Sequence, residues 1–164
     1  MTERLRLRAA RPDDVAALHE VLSDSRAMRY WWRPPHGDIA ETREWLEAMM
    51  AIDPAEGEDF IVERAGRAIG KAGLRRFPEI GFILHPDMWG QGLAHEALAA
   101  VIARAFDVHR LPAIVADVDP RNVASLRLLA KLGFVETHRA TRTWLVGEEY
   151  CDSVYLRLER TDAA

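Results

Sequence analysis

Two glycines one residue apart, set between an apolar strand and a helix, are the feature of this chain that points most directly to chemistry. Ile80 to Leu84 is apolar and rich in β-formers, and His85-Pro86-Asp87 breaks it. Trp89-Gly90-Gln91-Gly92 then leads from Leu93 into apolar residues recurring at Ala94, Leu98, Val101, Ile102, Ala105 and Phe106, which is helix spacing. Glycine lets backbone approach a ligand with no Cβ in the way. A helix start offers unpaired N–H groups and a partial positive charge. Together they predict a phosphate-bearing ligand at residues 90–95. A glycine turn that merely begins a helix is the bland alternative.

Other reactive side chains are scattered. His19, His36, His85, His95, His109 and His138 form no i, i+4 pair and no other metal-ligand spacing, so no metal is predicted. The single cysteine, Cys151, has no partner for an internal disulfide and reads as packing among apolar strand residues rather than as a nucleophile. The adjacent pair Trp31-Trp32 sits in a loop rich in proline and glycine, where it serves either as a core anchor or as a cleft wall.

Elements follow from pattern. Leu5 and Leu7 alternate with arginines as a short strand. Pro12 opens a helix, with Asp13 and Asp14 at its positive end and Val15, Leu18, Val21 and Leu22 as its stripe. Residues 28–37 are a loop, and Asp38 caps a second helix running to Met50. Phe60–Arg64 and Ala68–Arg75 form a hairpin across Ala65-Gly66-Arg67. The strand at 80–84 and the helix from Leu93 come next, followed by a strand at Ala113–Val118. Strand, helix and strand make a crossover, which places its two strands in parallel. Val123–Leu132 is a short helix ended by Gly133. Phe134–Glu159 reads as strands with a turn at Gly147-Glu148-Glu149, and residues after Arg160 as a frayed end. The order β α α β β β α β α β β predicts an α+β, mixed architecture with antiparallel strands around one crossover.

At 164 residues a single domain is expected, burying about two-thirds of its unfolded surface. The net charge of −4 argues against a general nucleic-acid binder. The charged N-terminus lacks the apolar region of a signal peptide, and no apolar run reaches the length of a membrane span. The chain is therefore expected to be cytoplasmic.

Glycine-turn families can be separated by the residues flanking the turn. A P-loop needs a lysine after the last glycine, and none comes after Gly92. The dinucleotide fingerprint G-x-G-x-x-G fits at Gly90 and Gly92, with Asp117 or Asp119 near the next strand end, but His95 replaces its third glycine. The segment Trp89-Gly90-Gln91-Gly92-Leu93-Ala94 resembles the acyl-CoA turn Q/R-x-x-G-x-G/A of the GNAT superfamily of N-acetyltransferases. Asn122-Val123-Ala124-Ser125 with Lys131-Leu132-Gly133-Phe134 is similar to that family's N-x-x-S … K-x-G-F segment. The start, Glu3 to Arg8 with Pro12-Asp13-Asp14, looks like the branch containing ribosomal-protein N-terminal acetyltransferases. The resemblance spans residues 3 to about 158, in order. Trp89 stands where many members carry Gln or Arg, and Leu129 stands where many carry a tyrosine acid.

The resemblance implies a GNAT-like fold whose central parallel strands splay to bind acyl-CoA. It further implies acetyl-CoA as co-substrate and direct attack by an amine, with no acylated residue. Carried over, backbone N–H groups from Gln91, Gly92, Leu93 and Ala94, together with His95, hold the pyrophosphate, Phe82, Ile83 and Leu84 lie along the thioester arm, and backbone N–H groups of the 80–84 strand polarise the carbonyl. Asn122 either contacts the pantetheine arm or caps its helix. Ser125 is put forward as the acid for the thiolate, against a capping role. A base is required, because α-amines and lysines are protonated at neutral pH. Glu79 is the first candidate, then His85, then Glu148 or Glu149. Trp31, Trp32, His36 and Tyr150 are expected to line the acceptor side, for a protein N-terminus or a small-molecule amine. The protein would act as a monomer or homodimer, without nucleic acid or membrane. Two other classes stay open: a non-catalytic acyl-CoA sensor and, less favoured, an NAD(P)-binding protein.

Overall fold

The computed structural model describes residues 1–160; the frayed end expected after Arg160 lies outside the described residues. Its strands are β1 (Arg6–Arg8), β2 (Glu58–Arg64), β3 (Arg67–Arg76), β4 (Glu79–Leu84), β5 (Ala113–Val118), β6 (Val135–Val146) and β7 (Glu149–Glu159). Its helices are α1 (Val15–Leu22), α2 (Ile39–Met50), α3 (Leu93–Asp107) and α4 (Val123–Lys131). The α+β order expected from pattern is the observed order, and the strands form one seven-stranded sheet, β1-β2-β3-β4-β5-β7-β6. Every neighbouring pair is antiparallel except β4 and β5.

Local chemistry sets the boundaries. Pro12–Asp14 is a 3-10 turn rather than the first turn of α1. The buried Asp14 carboxylate accepts from Arg11 N–H at 2.8 Å and pairs with Arg8 at 2.6 Å, so it does more than complement a helix dipole. Asp38 caps α2 with a reciprocal bond from Glu41, a capping box. β2 begins at Glu58, two residues before the expected start. Its hairpin to β3 turns through Ala65 and Gly66, both at positive φ, as a tight hairpin requires.

The sheet divides two cores. On one face Leu74, Ile80 and Leu84 pack with Leu93, Leu98 and Val101 of α3 and Leu129 of α4. On the other Ile61, Ala68 and Ile83 pack with Leu18, Val21 and Leu22 of α1 and Trp45, Leu46 and Met49 of α2. The period-2 alternation of β4 divides its side chains between the two, with Ile80 and Leu84 in the first core and Ile83 in the second. No helix among the described residues is long and apolar enough to cross a membrane.

Candidate active site

The crossover strands begin as neighbours and then part. Glu79 is the only β4 residue in register with β5, opposite Val115, and Val115 N–H donates to Pro78 C=O at 3.1 Å. Beyond that point the gap widens into a cleft of about 1890 Å³. That is larger than the roughly 300–1,000 Å³ usual for a single-ligand site.

One end of the cleft is the glycine turn. Gly90 and Gly92 both adopt left-handed φ, 71° and 75°, which only glycine takes without strain. Gly92 is the N-cap of α3 and carries no side-chain cap. The first intrahelical bond runs from Glu96 N–H to Gly92 C=O, so the N–H groups of Leu93, Ala94 and His95 have no intrahelical acceptor. Gly90, Gly92, Leu93, Ala94 and His95 all line the cleft. Gln91 does not. Its side chain accepts from Arg64 at 2.7 Å and donates to Asp87 C=O at 3.0 Å, while its own C=O accepts from Arg4 at 2.8 Å. The Gln91 side chain braces the turn from behind, so any contact of this residue with a ligand is left to its backbone N–H.

Phe82, Ile83 and Leu84 line the cleft from β4, as do Asn122 and Ser125 from the start of α4. Asn122 resolves toward the cap, its side chain accepting from Ser125 N–H at 3.1 Å. The Asn122 side chain therefore supplies the cap at this helix start, and Ser125 is among the residues lining the cleft. Leu129, where a tyrosine is common, is buried in the core.

The other end is built by side chains from five segments. Trp31 and Trp32 line it, so the pair forms a cleft wall; Trp31 also packs onto the second core. Glu79 is exposed at the mouth, yet enough protein surrounds its carboxyl that desolvation raises its pKa, with the Asp117 charge adding and Lys71 opposing. Asp117 lies two residues along β5 from Val115, on the same face as Glu79 by strand alternation, and accepts from Trp144 Nε1 at 2.9 Å. Lys71 reaches over Gly81, pairs with the buried Asp59 at 3.1 Å and lies 5.5 Å from the Trp31 ring.

Several expected residues stand elsewhere. His36 is buried away from the cleft, bonded to Thr42 Oγ1 at 2.8 Å with its N–H donating to Leu22 C=O; burial, then the Arg33 charge, lowers its pKa. Tyr150 is exposed outside the cleft with Arg142 stacked 3.9 Å over its ring. His85 caps the 3-10 turn after β4, accepting from Asp87 N–H. Glu149 accepts from Arg121, and neither it nor Glu148 lines the cleft. Lys71, Asp117 and Trp144 were not foreseen as site residues. A lysine inside Ala68–Leu74 and an aspartate inside Ala113–Val118 were the available signals, as charges in otherwise apolar strands.

Among the described residues no group of His, Cys, Asp and Glu could hold a metal ion. The sheet has one parallel pair, not the run of parallel strands on which a dinucleotide fold is built. An arrangement with an anion-binding helix start at one end and paired carboxylates at the other suits acyl transfer from a phosphate-bearing carrier to an amine.

Comparison with known proteins gives the same picture. Residues 4–135 match the acetyltransferase (GNAT) domain family. An uncharacterized N-acetyltransferase, p20, from Bacillus licheniformis is 31% identical over 143 residues, covering 81% of this chain and 80% of its own. A spermidine N-acetyltransferase from Vibrio cholerae, solved with CoA and spermine, superposes with a TM-score of 0.82 at 24% identity over 95% of each chain. A ribosomal α-N-protein acetyltransferase solved with coenzyme A reaches a TM-score of 0.85 at 19% identity, over 96% of this chain and 95% of its own. At those identities the two structures speak for the fold alone, and the family match carries the assignment: this chain is a member of the GNAT family of acetyltransferases.

Proposed function

We propose that this protein transfers the acetyl group of acetyl-CoA to a primary amine. The observation that carries the reading is the splay of β4 and β5 between the Gly92 helix start and the Glu79–Asp117 carboxylates. The unpaired N–H groups of Leu93 to His95 receive the pyrophosphate, and the pantetheine arm runs into the gap along Phe82 to Leu84. The β4 edge that β5 no longer covers keeps backbone N–H groups free to stabilise the developing oxyanion.

The acceptor approaches from the wall made by Trp31, Trp32 and Trp144. Its nitrogen must be neutral to attack, and a free α-amine or lysine holds its proton at pH 7. Glu79 takes that proton, directly or through one water, and its raised proton affinity brings it nearer the working range of a general base. The C–N bond forms, the C–S bond breaks, and the Ser125 hydroxyl donates to the departing thiolate. The solved relatives define the acceptors to try, since one was captured with spermine and the other is named for a protein N-terminus.

The test is release of free CoA thiol from acetyl-CoA with spermidine, a serine-initiated peptide and free amino acids. Turnover with at least one amine, abolished by Glu79→Gln, is expected. Tight acetyl-CoA binding with no thiol release above hydrolysis for any amine would make the protein a binding module instead.

A further inference from the structure

Trp144 stands apart from the other cleft aromatics. It comes from β6, the outermost strand, in register with Cys151 of β7, and 44% of its surface is exposed. Its ring reaches across β7 to β5, where Nε1 donates to Asp117 Oδ2 at 2.9 Å. A solvent-exposed tryptophan gains little by burying so long a reach, whereas a hydrogen bond to an ionised acceptor is among the stronger kinds. The bond occupies one carboxylate oxygen and leaves Oδ1 of Asp117 for another partner.

The surroundings decide what that partner is. Across the gap stands Glu79; Lys71, from β3, is taken by Asp59 at 3.1 Å. Tyr155 is the register partner of Asp117 on β7. Asp119 and Arg121, at the strand end, satisfy each other at 2.7 Å, and Asp152 accepts from Arg142 N–H at 2.9 Å. Among the described residues no cation forms an ion pair with Glu79 or Asp117: Lys71 acts on Glu79 only as a more distant charge, and Arg76, the register partner of Glu79, makes no ion pair with it, so the two carboxylates have room for a further positive charge. An acceptor ammonium supplies that charge before it gives up its proton.

Resting on the N-acetyltransferase reading, we propose that Trp144 is a positioning residue for the acceptor: its indole N–H fixes Asp117 opposite Glu79, so that the two carboxylates grip the incoming ammonium. Asp117, held by the indole N–H, binds the acceptor, and Glu79 accepts its proton. The coupling between the carboxylates, in which the Asp117 charge raises the proton affinity of Glu79, agrees with this division.

Trp144→Phe keeps the aromatic wall and removes the donor; Trp144→Ala removes both. In Trp144→Phe the KM for the amine is expected to rise about tenfold, the loss of one hydrogen bond to a charged group, with KM for acetyl-CoA unchanged. At saturating amine kcat stays near the wild-type value, the KM-against-kcat split of a residue that positions the acceptor and moves no proton. A Trp144→Phe variant with wild-type KM, beside an impaired Trp144→Ala, would reduce Trp144 to a wall and overturn the proposal. A readout independent of turnover is the indole N–H resonance lost in Trp144→Phe, which must shift in Asp117→Asn. An unmoved resonance overturns the proposal even in an active enzyme. A shifted resonance in a protein that acetylates no amine would retain the Trp144–Asp117 contact while sinking the N-acetyltransferase reading.

Discussion

At the end of the cleft proposed for the coenzyme, the groups come from one short stretch, Gly90 to His95, and would act through backbone N–H groups at a helix start. At the acceptor end they come from the loop after α1, from β3, β4, β5 and β6, and act through the side chains of Trp31, Lys71, Glu79, Asp117 and Trp144. A backbone site needs a particular φ and little else, so it tolerates drift in most of its side chains. A side-chain site converging from five segments changes character with any one of them. On the proposed reading, coenzyme use follows from the turn geometry, and acceptor choice follows from the side chains of this particular chain.

The sharpest way to separate the ends is to damage each alone. Glu79→Gln keeps size and removes the base; kcat should fall by about 10²- to 10⁴-fold with acetyl-CoA affinity retained, as measured by thiol release and calorimetric titration. Unchanged kcat would move the base elsewhere. Gly92→Val attacks the other end. The nearest obstacle to a Cβ there is Arg4 at 3.5 Å, so space is available, but φ of 75° is an outlier for a β-branched residue. Acetyl-CoA affinity should drop roughly tenfold or more, and an unaffected titration would break the assignment of the turn.

Ser125→Ala tests the boundary between the two ends. With Asn122 already capping α4, loss of the hydroxyl should lower kcat by about tenfold and leave both acetyl-CoA affinity and melting temperature in place. A fall in melting temperature with kcat intact would return Ser125 to a structural role. The smallest effect concerns the acceptor wall. His36 holds the loop bearing Trp31 and Trp32 against Leu22 and Thr42, and burial depresses its pKa below the ordinary histidine value. The unfolded chain therefore binds the proton first, and stability is lost as pH falls below about 6.5. His36→Asn should flatten the melting-temperature profile between about pH 7.5 and about pH 5.5; an equally steep profile would locate the sensitivity in another group.

The same contrast governs how much was legible in the sequence. The strand, turn and helix around Gly92 were legible because glycine spacing and apolar periodicity act over a few residues. The crossover, the hairpin and the α+β order came from equally local signals. At Gln91 the pattern marks the turn but not which way a long side chain folds; Arg4 and Arg64 claim its polar atoms from distant segments. His36 and Tyr150 stand outside the cleft for the related reason that membership of a loop, or of a hairpin end, does not fix which way a side chain faces. Asp117 was legible as a charge in an apolar strand and as a candidate acid under the dinucleotide reading, but its partner, Trp144, lies 27 residues away across a sheet order that no local signal encodes.

The most direct test of the coenzyme site is a thermal melt of the whole chain with and without acetyl-CoA, with NAD as the control. Acetyl-CoA at a hundred times its dissociation constant should stabilise the protein by about 2.7 kcal/mol, and NAD should leave the melt unchanged. A melt unmoved by saturating acetyl-CoA would mean that the Gly90–Gly92 turn is structural in this chain and that the cleft serves another ligand.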